Sequence, residues 1–449
     1  MMRMRVMAGA VAIGVALTMG AGASSARPAR QDQPQKSPYT IEEYNAYKAA
    51  DGEANPQNKI KLLDDFLKKY PESALLPYIY RAYYLTSYAL KNYAATIAYT
   101  DKMINLGDKI DAPGRLEALV ARAQAFYFLS AADPTIMKNS DALTKARDAS
   151  NAGLKALGEV KKPDAVAQDT FDSQVKNYKI LFNSIAAMAS AALKDYPAAI
   201  DSYKAVLALE PNDAVTYYRI GTIYLAMNPP QIMDGLWELA RSIAIKAPNG
   251  PNETQVKAFI RNQIVRYEQA ACDNLTDDQV NELLTLAATS ADRPSTWSIP
   301  SAADLDKARN DVASFLPTLK SGGDPAKVMW LATCGLEYPD VGVRVMADPT
   351  ADGENLDFMV YRPAATDPAA MQADMTAATE PNMKVIVTGQ PEAKRVLKDD
   401  QVRFTGTLTG YTQNPFLLTW EKAKINAEDI PPEKGAPAKK RPGKKGATH

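Results

Sequence analysis

Histidine is almost missing from this chain of 449 residues: the single one is His449, the last residue. His-based catalytic triads and His-ligated metal sites are therefore excluded from any folded region. Cysteine is nearly as scarce, with Cys272 and Cys334 alone, too few for a disulfide framework. The two stand as a bonded pair or as two separate buried thiols; in either case Cys272 has no His partner to make it a nucleophile. Net charge is lacking as well, since Lys+Arg and Asp+Glu both total 52. That balance removes a whole-chain electrostatic case for a nucleic-acid or anionic-membrane partner. No Gly-rich phosphate loop occurs, and "GTLTG" lies within a strand pattern without a following helix. Beyond the N-terminus no apolar run approaches the roughly 18 to 20 residues of a spanning helix. These absences leave no expected cofactor or metal and point to a non-enzyme, with carboxylate-only catalysis as the minor alternative.

The N-terminus itself is patterned. "MMRMR" is a basic start, "VMAGAVAIGVALTMGAGA" is apolar and small, and Ala21-Gly22-Ala23 or Ser24-Ser25-Ala26 offers a cleavage site. This reads as a secretory signal peptide over 1–26, followed by a polar, Pro-bearing linker over 27–40. The expected location is periplasmic or secreted, with no transmembrane segment in the mature chain. At the other end, "EKGAPAKKRPGKKGATH" carries six Lys/Arg against one Glu, and 428–449 is expected to be a disordered basic tail.

From residue 41 to about 250, apolar residues three and four apart are interrupted every 12 to 20 residues by Pro, Gly, Asn or Asp, the signature of successive amphipathic helices. Within "DYPAAIDSYKAVLALEPND", Ala199, Tyr203, Val206 and Pro211 place a small residue, an aromatic, an apolar residue and a helix-ending proline in order. The next helix supplies Tyr217, Ile220, Gly221 and Tyr224, and Ala187 and Gly221 lie 34 residues apart. The segment "NYAATIAYTDKMINLGD" aligns on this one without a gap at an offset of 103 residues. Together these resemble tetratricopeptide (TPR) repeats. The match departs at Lys102 and at the extra residues in "AMNPPQIMDGLWELARSIAI". The resemblance implies a TPR-like helical solenoid that binds a protein or peptide on its concave face. Tyr80, Arg81, Tyr84 and Tyr88 on one helix, with Tyr218, Arg219 and Thr222 on a later one, are the candidate peptide-binding residues. The tyrosines recur at i, i+4 and i+8, and packing between repeats is the competing use of that stripe.

Residues 251–335 stay helical without the repeat register and are expected to form a helical cap or subdomain. Thr276 with Gln279 reads as a capping box there. From 338 to 427 the period changes to two. "VGVRVMA", "NLDFMVY", "MKVIVTG", "QVRFTGTLTGY" and "FLLTWEKAKI" make five strands, with Gly406 and Gly410 marking bulges. The pattern resembles an oligonucleotide/oligosaccharide-binding (OB) barrel, a small β-sandwich being the alternative. That resemblance supplies the second functional reading, carbohydrate or cell-wall binding by Arg403, Tyr361, Tyr411 and Trp420; nucleic acid is disfavoured without a basic stripe. In "DPTADGENLDFM" a hairpin turn outweighs a calcium loop, because Met359 stands where a bidentate Glu is required. The whole is expected to be a multidomain α plus β protein.

Overall fold

A computed structural model describes residues 38–433; the signal-peptide reading and most of the basic tail lie outside them. The described chain forms two compact units that divide at 253/254.

The first unit is all helix: α1 (Ile41–Gly52), α2 (Pro56–Lys69), α3 (Leu76–Ala89), α4 (Tyr93–Ile104), α5 (Ala112–Ala132), α6 (Ser140–Leu157), α7 (Gln168–Ala192), α8 (Tyr196–Leu209), α9 (Ala214–Ala226) and α10 (Ile232–Ala244). Each helix packs on the next in the chain, and α5 also packs on α3 and α7. The connections are short and chemically defined. At the α3–α4 turn, Lys91 adopts φ 59°, and the Asn92 amide donates to Ser87 O at 2.8 Å. Asn92 Oδ1 then accepts from Ala95 N to cap α4. The α7–α8 turn repeats this group for group 103 residues later: Lys194 has φ 63°, Asp195 N donates to Ser190 O at 2.9 Å, and Asp195 Oδ1 accepts from Ala198 N. A second turn type also recurs. Tyr70 N and Glu210 N each close their helix at 2.8 Å on Phe66 O and Val206 O, a proline follows each, and Ser73 and Asp213 receive Leu75 N and Val215 N.

The signature residues meet where their sizes require. Ala187, Ala199, Tyr203, Ile220 and Ile223 form one buried cluster with Tyr224 against it. A methyl group at Gly221 would lie 2.9 Å from Gly235 O and from Leu239, so α9 and α10 approach closely only because both positions are glycine. Between α4 and α5, the Arg122 guanidinium is almost fully buried and is neutralised by Asp101.

The second unit joins helices α11 (Glu253–Glu268), α12 (Thr276–Thr289), α13 (Ala302–Asn310), α14 (Phe315–Ser321), α15 (Gly323–Thr333) and α16 (Pro368–Ala377) to a six-stranded mixed sheet. Its strands are β1 (Glu337–Val345), β2 (Thr350–Asp352), β3 (Asn355–Tyr361), β4 (Met383–Thr388), β5 (Gln401–Gln413) and β6 (Phe416–Ile425), in the order β1-β5-β6-β4-β3-β2. β4 and β6 run parallel and the other pairings are antiparallel, including a short β1–β3 pairing at Arg344–Tyr361 and Val345–Val360. The expected strand count of five is thus one short. β2 completes a hairpin with β3 through Gly353 at φ 61°, and Asp348 Oδ1 accepts Lys398 N rather than serving a calcium loop. The β5–β6 register shifts between Thr405 and Thr407 and between Leu408 and Gly410, the places the two glycines mark.

Leu316, Leu319, Met329 and Trp330 of α14 and α15 share one core with the inward strand residues Phe358, Val385, Phe404 and Trp420. The segment expected as a helical cap therefore belongs to the same compact unit as the sheet. Cys272 and Cys334 are bonded, tying the α11–α12 connection to the end of α15. The expected capping box is absent: Thr276 is the first helical residue with no side-chain cap at Leu275, and Gln279 Nε2 donates to Glu268 Oε1 instead. The unit also runs further than 427, since Ile430 is buried in the core and Asp429 pairs with Arg403. Among the described residues no helix is long and apolar enough to cross a membrane.

Candidate functional site

Each of α3, α5, α7 and α9 packs on the helix that follows it, and α5 also meets α3 and α7. The residues expected to bind a peptide lie on α3 and α9, and the structure treats them unequally. On α3, Tyr84 is 0% exposed, and its hydroxyl donates to Glu117 Oε1 of α5 at 3.1 Å. Burial first, then the Glu117 charge, holds this phenol far above its ordinary pKa. Tyr84 is thus a packing residue and offers no face to a visitor, which corrects the expectation. The i, i+4, i+8 stripe turns inward at its centre because α5 crosses it there.

Tyr80 and Tyr88 remain half-buried. The Tyr80 ring lies 6.1 Å from Tyr99, and Tyr88 meets Tyr93 and Phe128 edge-on at 5.8 and 6.3 Å. Arg81 is not a free cation: its Nε donates to Glu117 Oε2 at 3.1 Å and lies 3.0 Å from Oε1. On α9, Tyr218, Arg219 and Thr222 are all half-buried. Arg219 lies over the Tyr203 ring at 5.8 Å, and Thr222 donates back to Arg219 O at 2.8 Å, which keeps its hydroxyl within the helix.

One feature of this row was not anticipated. A cavity of about 120 Å³ opens between α5 and α7, beside Leu85 of α3 and under the connection from α6 to α7. Pro113, Leu116, Val120 and Gln124 face it from α5 at helical spacing, and Phe171, Val175 and Tyr178 answer from α7. Most of its wall is aliphatic or aromatic. α7 is 25 residues long against 14 for its partner α8, so its first turns stand clear of α8 and supply one side. The covering connection is held in shape by Lys162, whose Nζ donates to Pro163 O at 3.2 Å and Val166 O at 2.8 Å. Among the charged lining groups, Glu117 is already satisfied by Arg81 and Tyr84, while Lys161 is exposed. Tyr178 is pushed above the ordinary tyrosine range, first by burial and then by the Glu117 charge. Both helical stripes are legible in the sequence; what hid the cavity is that a stripe does not say whether its neighbour fills it.

A wider cavity of about 650 Å³ lies in the second unit, among α12, α13 and α15. Its charges are largely spoken for: Lys327 pairs with Asp324 at 3.2 Å and Glu282 at 3.7 Å, and the Asp304 carboxylate accepts from Ser301 N and Oγ at the α13 N-terminus. Its lining residue Gln279 donates to Glu268, which is 1% exposed. Burial pushes its carboxyl up to about 7, against the opposing Gln279 hydrogen bond.

The sheet residues expected to stack on a sugar are committed elsewhere. Trp420 is buried between Phe404 and Tyr338, Tyr411 donates to Leu319 O and packs on Trp330, and Tyr361 donates to Asp374 at 2.9 Å. Arg403 is held bidentately by Asp429, at 3.0 and 3.1 Å. No protein-family model matches this chain, and no curated protein matches it in sequence.

Proposed function

We propose that the chain is an exported, non-enzymatic scaffold whose helical unit is a TPR-like solenoid and takes a protein or peptide along the row α3, α5, α7 and α9. The observation that carries this reading is the recurrence of both turn types, group for group, at Lys91/Lys194 and at Tyr70/Glu210. Repeating turns set repeating helix pairs, and such pairs bury their apolar faces only by stacking. With Tyr84 removed, the contact residues are Tyr80, Tyr88 and Tyr218, half-buried rings with few rotors to freeze, together with the half-buried Arg219. The bonded Cys272–Cys334 pair accords with the oxidising compartment that a signal peptide implies.

For the sheet, the β1–β3 pairing joins the ends of the order β1-β5-β6-β4-β3, which supports the OB-like barrel reading. A carbohydrate partner gains less support, because the Tyr411 and Trp420 rings are packed against other aromatics and the Tyr361 hydroxyl is engaged by Asp374. Carboxylate catalysis at Glu268 is disfavoured in the same way, since a substrate does not reach a sealed carboxyl. A photo-crosslinking amino acid placed on α9 of the full chain tests the scaffold reading by trapping, or failing to trap, a polypeptide.

A further inference from the structure

The cavity between α5 and α7 combines three properties. Its volume of about 120 Å³ is close to the ~150 Å³ of a dry cavity that admits benzene. Its wall is mostly aliphatic and aromatic, from Leu116, Val120, Leu157, Phe171 and Val175. Its charges are asymmetric. Glu117 has both oxygens engaged by Arg81 and Tyr84, so its charge is paired within the protein, although Tyr178 still registers it. Lys161 lines the same cavity, is exposed, and forms no ion pair among the described residues. An apolar chamber with one uncompensated cation at its mouth selects a ligand with an apolar body and a single negative end.

We infer that this cavity is a binding site for a small monocarboxylate bearing one ring or a short branched chain, its body among Leu116, Val120 and Val175 and its carboxylate beside Lys161. The inference does not rest on the peptide reading, because a small ligand needs no macromolecular partner, although the cavity opens among the same helices α3, α5 and α7. A neutral molecule of the same shape would fill the chamber without meeting the lysine. A cationic one would bring like charge against it.

The probe is phenylacetate, titrated into the full mature chain by calorimetry and by ligand-observed NMR, with benzyl alcohol and phenethylamine as the neutral and cationic counterparts. A ligand of this size should bind with a Kd on the order of 0.1–1 mM. The expected order is phenylacetate, then benzyl alcohol, then phenethylamine. Lys161→Glu, at an exposed position, should weaken phenylacetate about tenfold and leave benzyl alcohol unchanged. Val175→Trp should abolish binding of both by filling the chamber, and Val166→Trp on the covering connection does the same should the helix variant fail to fold. Three results overturn the inference: no saturable binding of phenylacetate at 10 times the expected Kd (~10 mM), equal affinity in wild type and Lys161→Glu, or phenethylamine binding as well as phenylacetate.

Discussion

Replacing Glu268 with Gln should make the protein more stable at pH 8 and change it far less at pH 5. Glu268 is buried on α11 with one polar contact, the Gln279 amide, and its carboxyl titrates at about 7 instead of the ordinary 4.5. The Gln279 amide N–H favours the carboxylate, but burial outweighs that single hydrogen bond. Because the folded value is raised, the native state holds a proton between pH 4.5 and 7 that the unfolded chain has released, so stability falls as pH rises through that window. A shift of this size corresponds to about 3 kcal/mol between its two ends. Glutamine keeps the shape of the protonated acid and cannot ionise. Urea denaturation of wild type and Glu268→Gln at pH 5 and pH 8 measures the effect. The difference between the two proteins should grow by about 2–3 kcal/mol from the lower pH to the higher. A difference that stays constant across this range, or a variant less stable than wild type at pH 8, would refute the reasoning.

The bond between Cys272 and Cys334 spans 62 residues, and by the loop-closure argument its removal should cost about 4 kcal/mol. Urea midpoints with and without reductant check this, and an unmoved midpoint speaks against a formed bond. In the first unit, a methyl group at Gly153 would sit 2.4 Å from the buried Phe182 ring. Gly153→Ala should therefore lose about 1–2 kcal/mol net, the overpacking exceeding the roughly 1 kcal/mol gained in helix propensity. A raised melting temperature would show that α6 and α7 have room to adjust.

How far the sequence reaches is clearest at individual residues. Ala187, Ala199, Tyr203 and Ile220 meet in one cluster because their sizes and spacing admit little else. Gly406 and Gly410 coincide with register shifts since a side chain at either would strike Ala423 or Thr419 of β6. The internal repeat is plainer than its motif suggests: "ALKNY" at 89–93 returns as "ALKDY" at 192–196, and the turns they form coincide bond for bond. Other features leave no local trace. β2 is three exposed residues without alternation, so no period betrays it. Thr276 and Gln279 have the spacing of a capping box, yet Glu268, eleven positions before Gln279, claims the amide. Tyr84 and Tyr80 are the same residue type one helical turn apart, and only the position of α5 decides that the former is sealed. Candidate site residues are read least securely for that reason: a stripe is set by one helix, and its use by whichever helix lies across it.

Photo-crosslinking from the helical row tests the central claim most directly. With p-benzoylphenylalanine at position 88 or 218 of the full chain, illuminated in the cells that make it, the account predicts a discrete polypeptide adduct. The adduct should be absent when the same amino acid replaces Leu397, an exposed residue of the sheet unit. Adducts from position 397 alone, or none from either helical position, would contradict it.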